Sequence, residues 1–342
     1  MARRAGSLRA YAITRLALVI PMVLILLTLV FLLMRVAPGD PISASLGARL
    51  SPEQLALRRH AAGFDAPLLA QYWDYLKQVA TLNFGQAITD NRSVQDIIIE
   101  NGGATLTLTL AALVVALGLG IPLGLLAGRY RDTGFDAVVR IFGVITYAAP
   151  VFFVGLLGQL LFAKNLGWLP ASGQASTLVQ VNVPTRTHIL IVDAVIAGDG
   201  RAVSDVLLHL LMPAVTLGLL LTGVFIRLVR VNVAQSLQGD YIEAARARGV
   251  PERRVVTHHA FRNALVPVVT IIGLQVALLL GGAVLTEETF NWPGIGHQLI
   301  YYLDNRDYTA VQGIITVFAL VVVVMSLLID FVNALIDPRV RY

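Results

Sequence analysis

The chain has 342 residues, of which 56% are apolar and only 14% charged, with a mean hydropathy of +0.74. That composition excludes a water-soluble domain as the bulk of the chain and points to a polytopic membrane protein. The absence of cysteine excludes disulfide frameworks and thiolate chemistry, and the net charge of +5 rests on a basic complement in which 24 of 26 residues are Arg.

In chain order, six stretches reach the roughly 20 apolar residues that a membrane span needs: 12–34, 104–127, 137–163, 209–228, 264–286 and 311–335. Arg3, Arg4 and Arg9 precede the first, as in a signal peptide. Its apolar run is longer than such a segment carries and no A-x-A site follows, so it reads as an uncleaved span. The chain divides into a tail and first span (1–34), an extracytoplasmic loop region (35–103) and a five-helix core (104–342). Within the core lie an extracytoplasmic loop at 164–208 and a cytoplasmic loop at 229–263.

Six spans put both termini on one side. Loops on that side, counted with the span ends beside them, hold sixteen basic and seven acidic residues, against ten and fourteen on the other. The positive-inside rule makes it the cytoplasm. In the first outer loop, "SPEQLALRRH" offers Ser51 as an N-cap, Pro52 at the first helical position and Gln54 where a capping box places its partner. In 164–208, the β-branched runs "LVQVNV" and "HILIV" predict a hairpin or extended segment.

The cytoplasmic loop contains "GDYIEAARARGV" at 239–250. Gly239–Asp240 gives a turn, residues 241–248 are mostly good helix formers, and Glu243 early with Arg246 and Arg248 late suit the helix dipole. Gly249 ends the helix, and Pro251 opens another in "VPERR". Adjacent Ala244 and Ala245 permit close approach of a partner backbone, with flanking arginines to pair with acidic rims. On composition alone, a basic loop against lipid headgroups explains the segment equally well.

The order of its residues resembles the EAA loop of inner-membrane permease subunits of ATP-binding-cassette importers, in which EAA is followed after three residues by Gly; Glu243, Ala244, Ala245 and Gly249 fill those positions. Further stretches are similar to the dipeptide, oligopeptide and nickel branch: "APGDP" (37–41), "DAVIAGDG" (193–200), "GLQVALLLGGAVLTEETFNWPGIG" (273–296), "RDYTAVQG" (306–313) and "DPRVRY" at the end. Thr309 departs from the proline usual after "RDY".

The resemblance implies an all-α, six-span permease of the type I importer fold with a cytoplasmic coupling helix. The subunit would be no enzyme and bind no cofactor, ATP and Mg residing on two partner ATPase subunits. A GxxxxGK[ST] phosphate loop is indeed lacking from the chain. It also implies a second permease subunit as heterodimer partner, an extracytoplasmic substrate-binding protein, and a place in the cytoplasmic membrane of a prokaryote. Carried over by position, Asp240, Tyr241, Glu243, Ala244, Ala245, Arg246, Arg248 and Gly249 are the ATPase-facing candidates. Ala245 is where a bulky side chain is expected to block docking.

Cargo would be a dipeptide or oligopeptide, or in the same class a nickel chelate, glutathione or an oligosaccharide. Candidates for the translocation path are Tyr147, Pro150, Gln275, Gly281 and Gly282, which equally suit helix packing through small residues. An ion-coupled secondary transporter is disfavoured, because the spans hold almost no ionisable group apart from Asp330. His258–His259 lack a third ligand at zinc spacing, so no metal is expected. Glu287–Glu288 are read as interfacial, with Trp292 and Tyr301–Tyr302 as aromatic belt anchors. Basic residues spread over four cytoplasmic segments give no support to nucleic-acid binding.

Overall fold

The computed structural model describes residues 8–36, 51–61 and 65–336. Among them the secondary structure is helical, apart from one isolated bridge between Gln86 and Ser93. Helix α1 (Leu8–Val36) is followed by α2 (Pro52–Ala61) and α3 (Leu68–Ala80). The start of α2 is the capping box that the sequence predicts. The Ser51 N–H donates to Gln54 Oε1 at 3.2 Å and the Gln54 N–H to Ser51 Oγ at 3.3 Å.

The core begins with α4 (Val94–Arg129), then α5 (Gly134–Ala148) and α6 (Val151–Gly158), the last running on as a π-helical segment, Gln159–Asn165. Two short helices follow, α7 (Thr177–Asn182) and α8 (Leu190–Ile196), then the long α9 (Gly200–Ser236) and the short α10 (Asp240–Ala247). A helical turn (Glu252–Arg254) and a π-helical stretch (Val255–Ala260) lead without a break into α11 (Phe261–Thr289). Helices α12 (Ile295–Asp304) and α13 (Tyr308–Ile336) complete the described chain.

Among the described residues, four segments are long and apolar enough to cross a membrane: Ile13–Arg35, Val94–Arg129, Gly200–Ser236 and Tyr308–Phe331. Counting the bent pair α5–α6 as one span makes five, and the 29-residue α11 lies where the sequence places another. Helices α4 and α9 outrun the apolar stretches read from sequence. At about 1.5 Å per residue each is longer than the ~30 Å of hydrocarbon, so hydropathy marks only their middles. Ser93 and Asp199 cap their true starts: Ser93 Oγ accepts from Asp96 N–H, and Asp199 Oδ1 accepts from Arg201 and Ala202 N–H.

The expected continuous span at 137–163 is corrected to two helices meeting at 100°. Pro150 lacks an N–H and its ring pushes the residue before it out of the helical region. Ala149 accordingly sits at φ −71°, ψ 131°, and Pro150 itself at ψ 127°. The hairpin expected in 164–208 is also corrected. Its β-branched runs fold as α7 and α8, where Val183 and Ala194 are buried against Ala202 at the start of α9. No neighbouring strand is present among the described residues to pair with them, so short-range β-propensity is overridden by tertiary burial.

The main seam joins α4 to α9. Gly120, Gly124 and Gly128 recur every four residues on α4, and a Cβ added at Gly124 would stand 2.7 Å from Val229 Cβ. Across α9, a Cβ at Gly223 would meet the Gly143 carbonyl oxygen of α5 at 2.2 Å. Close backbone approach of this kind drives helix association where lipid removes the hydrophobic incentive. Leu108, Leu217, Phe225 and Val229 fill the same core.

Two ion pairs fasten the bundle. Asp136, fully buried at the start of α5, receives Nη2 of Arg230 on α9 at 2.6 Å as one arm of a fork. Arg15 of α1 meets Asp330 of α13 at 3.2 Å, which gives the ionisable group noted in the sixth apolar stretch a partner.

At the far end of the bundle the aromatic-belt expectation is corrected for two residues. Trp292 and Tyr302 are wholly buried; the Trp292 indole donates to the Ala104 carbonyl at 3.0 Å and the Tyr302 hydroxyl to Asp90 at 2.9 Å. Only Tyr301 is exposed. Glu287, also fully buried, accepts from Thr105 Oγ1 at 2.6 Å and from the His297 N–H at 3.0 Å, so its carboxylate caps the N-terminus of α12. Glu288 is exposed and contacts the His297 ring at 2.8 Å. Asp307 likewise starts α13, accepting from Ala310 N–H while binding the backbone of Ile88 and Thr89.

Candidate coupling site

Helix α10 lies at the opposite end of the bundle, just beyond the C-terminus of α9. Gly239 is its N-cap, and Tyr241 folds back over it: a Cβ at 239 would stand 2.6 Å from the ring. Asp240 and Glu243 occupy the first turn, where the dipole favours carboxylates. At the other end Gly249 has φ +74°, the left-handed conformation that glycine adopts without steric penalty. Its N–H reaches the Arg246 carbonyl at 2.9 Å and the Val250 N–H reaches Ala245 at 3.2 Å, the paired bonds of a Schellman stop.

Two residues anchor the helix. Ile242 and Ala245, one turn apart, are both fully buried, Ile242 in the cluster that holds Val229, Val233, Val255 and Val256. Ala245 therefore points into the protein, so a bulky group there would act first on the loop's own packing. Facing outward are Asp240, Tyr241, Glu243, Ala244, Arg246, Ala247, Arg248 and Gly249. Ala247, three residues on from Ala244, shares its exposed helical face.

The corner is braced by Arg246, which grips Glu252 through two hydrogen bonds of 3.1 and 2.7 Å. The guanidinium holds the Glu252 carboxyl below its usual pKa, and the carboxylate in turn raises that of Arg246. Arg248 Nε donates to the Ala244 carbonyl at 3.2 Å, satisfying an end group of the helix. The two short helices predicted around a glycine corner are thus present, but the second is the lead-in to α11. The result is a small, rigid, mixed-charge knob fused to two long helices.

The path candidates are not gathered into one surface. Tyr147 and Pro150 stand exposed at the α5–α6 break, whereas Gln275 is buried in α11 with its Oε1 lacking a hydrogen-bond partner. Gly281 and Gly282 also lie on α11, and their surroundings fall outside the described residues. A cavity of about 550 Å³ opens elsewhere, between α1, α3 and α13, and none of the five borders it.

The family model for the inner membrane component of binding-protein-dependent transport systems matches residues 120–342, and the model for the N-terminal part of such membrane components matches 8–109. The chain belongs to this family. It is a multi-pass inner-membrane permease subunit of an ATP-binding-cassette importer. The di/tripeptide transport system permease protein DppB of Pseudomonas aeruginosa is 38% identical over 329 residues, covering 96% of this chain and 97% of the relative. The dipeptide transport system permease protein DppB of Escherichia coli K12 is 35% identical, covering 97% and 98%. The glutathione transport system permease protein GsiC of Salmonella typhi is 34% identical, covering 97% and 99%.

Proposed function

We propose that this permease subunit moves dipeptides or oligopeptides inward by alternating access, as one of two unlike permease subunits driven by two cytoplasmic ATPases. The chain then has six spans with both termini in the cytoplasm, α11 being the fifth. ATP and Mg bind on the ATPases, and a binding protein delivers cargo to the opposite face. The observation that carries this reading is α10 itself: a short helix anchored by Ile242 and Ala245 that turns Asp240, Tyr241, Glu243, Ala244 and Arg248 away from the bundle. Such a knob, fused to α9 and α11, can transmit a push from a partner groove into both helices without bending. Peptide cargo is supported by the names of the relatives from Pseudomonas and Escherichia. The Salmonella relative favours glutathione, itself a small peptide, as the second reading.

The test is uptake of a labelled dipeptide into vesicles holding the whole complex and its binding protein, with glutathione as competitor. ATP-dependent uptake that unlabelled dipeptide inhibits better than glutathione supports the first reading; the reverse order supports the second. Uptake driven by an ion gradient without the ATPases would overturn both.

A further inference from the structure

The cavity of about 550 Å³ at the end of α1 lies within the size range of small-ligand pockets. Its wall includes Arg35, Asp74, Tyr75, Lys77, Gln312 and Thr316. Its depth is fixed by two apolar segments. Arg35 is the last residue of Ile13–Arg35, and Gln312 and Thr316 lie in the first turns of Tyr308–Phe331. The cavity therefore sits at the boundary between hydrocarbon and water, where phospholipid headgroups reside.

Helix α3 forms one side and docks by aromatic contacts. Phe31 of α1 meets Tyr72 edge-on at 5.2 Å between ring centroids and stacks on Tyr75 at 5.9 Å, and the Tyr75 hydroxyl hydrogen-bonds Thr316 at 2.8 Å. Leu68, Leu69 and Trp73 remain exposed on α3, 61%, 83% and 59% respectively, an apolar set with tryptophan beside a span end. Amphipathic helices of this kind lie in the membrane interface. Arg35 is held at the cavity wall by Gln71, its Nε donating to Oε1 at 3.0 Å, and by the Phe31 ring at 4.8 Å. Lys77 meets Asp74 at 3.2 Å; both are well exposed, so their mutual attraction is small and readily exchanged for a ligand's charges.

We propose that this cavity seats the headgroup of a zwitterionic phospholipid, its phosphate on Arg35 and Lys77 and its ammonium on Asp74, with acyl chains beside Leu69 and Trp73. Among the described residues of the wall, two cations and one carboxylate match a phosphate joined to an ammonium better than they match a purely anionic headgroup. The site goes beyond the transport reading and does not depend on cargo.

The experiment is native mass spectrometry of the whole complex taken from nanodiscs containing equal phosphatidylethanolamine and phosphatidylglycerol. Wild type should retain phosphatidylethanolamine in preference. Arg35→Ala should weaken retention roughly tenfold, the scale of one lost charge-assisted hydrogen bond. Asp74→Lys, at an exposed position that leaves folding intact, should invert the preference towards phosphatidylglycerol, and it decides the matter if Arg35→Ala fails to assemble. Soluble phosphoethanolamine should compete only in large excess, because it lacks the chains. An unchanged lipid ratio in Asp74→Lys, or equal competition by soluble phosphoethanolamine, would overturn the proposal. So would displacement of the lipid by a dipeptide at low concentration, which would make the cavity a substrate subsite.

Discussion

Arg246 and Glu252 are joined by two parallel hydrogen bonds across the Gly249 corner, Nε to Oε2 at 3.1 Å and Nη2 to Oε1 at 2.7 Å. Both side chains are more than a third exposed, so the pair contributes only about 0.2–1 kcal/mol to stability. Its larger effect is to fix the angle between α10 and the lead-in to α11. Arg246→Ala should therefore leave the melting temperature of the assembled complex nearly unchanged while lowering ATP-driven uptake several-fold. Equal losses in stability and uptake would argue for a purely structural role.

The same pair sets a pH dependence. The folded Glu252 pKa is depressed by Arg246, so the pair's contribution is present above the ordinary carboxylate range and is lost as pH falls through the folded value. Acid titration of a fluorescent reporter on α10 should show a transition below the usual glutamate pKa. Glu252→Gln should abolish that transition.

Ala244 and Ala245 are adjacent yet face opposite ways, so tryptophan should separate their roles. At the fully buried Ala245 the added ring overpacks the interior behind α10, costing about 1–3 kcal/mol, which thermal unfolding of the purified subunit pair would register. At the exposed Ala244 the cost should stay within about 0.5 kcal/mol, since nothing buried is disturbed.

Gly249→Ala tests the corner. A Cβ there meets no atom within 4 Å, so any loss comes from the left-handed backbone, about 1–2 kcal/mol, and not from a clash. Gly249→Asn should recover part of it, because asparagine tolerates that region. Equal melting temperatures for all three proteins would contradict the assignment.

Asp136 and Arg230 test the bundle itself. Removing Arg230 leaves the buried Asp136 with only the longer, half-exposed contact to Arg140 at 3.7 Å, so Arg230→Met should destabilise by about 3–5 kcal/mol. Asp136→Leu combined with Arg230→Met should be markedly less harmful than either alone. A double-mutant cycle on assembled complex reads the coupling directly.

Local chemistry was legible in the sequence. Ser51, Pro52 and Gln54 announce the start of α2, and Gly249 announces the end of α10, because caps depend on residues three or four apart. What faces what was not. Ala244 and Ala245 look alike as letters, and only the packing of α10 on the Val255–Ala260 stretch decides which is hidden. Trp292 and Tyr302 carry a belt signature but are recruited inward by Ala104 and Asp90, distant in sequence. The break at Pro150 was readable from the proline rule and was masked by a hydropathy window that saw one uninterrupted apolar stretch. The recurrence of Gly120, Gly124 and Gly128 was visible as well, but its partner, Val229 on α9, was not.

The most direct measurement is ATP-driven uptake of a labelled dipeptide by vesicles holding the whole complex with Ala244→Trp, together with copurification of the ATPase subunits. If the outward face of α10 is the coupling contact, uptake is lost and the ATPases dissociate while the permease pair stays folded. Uptake at the wild-type rate with the ATPases still bound would contradict that assignment.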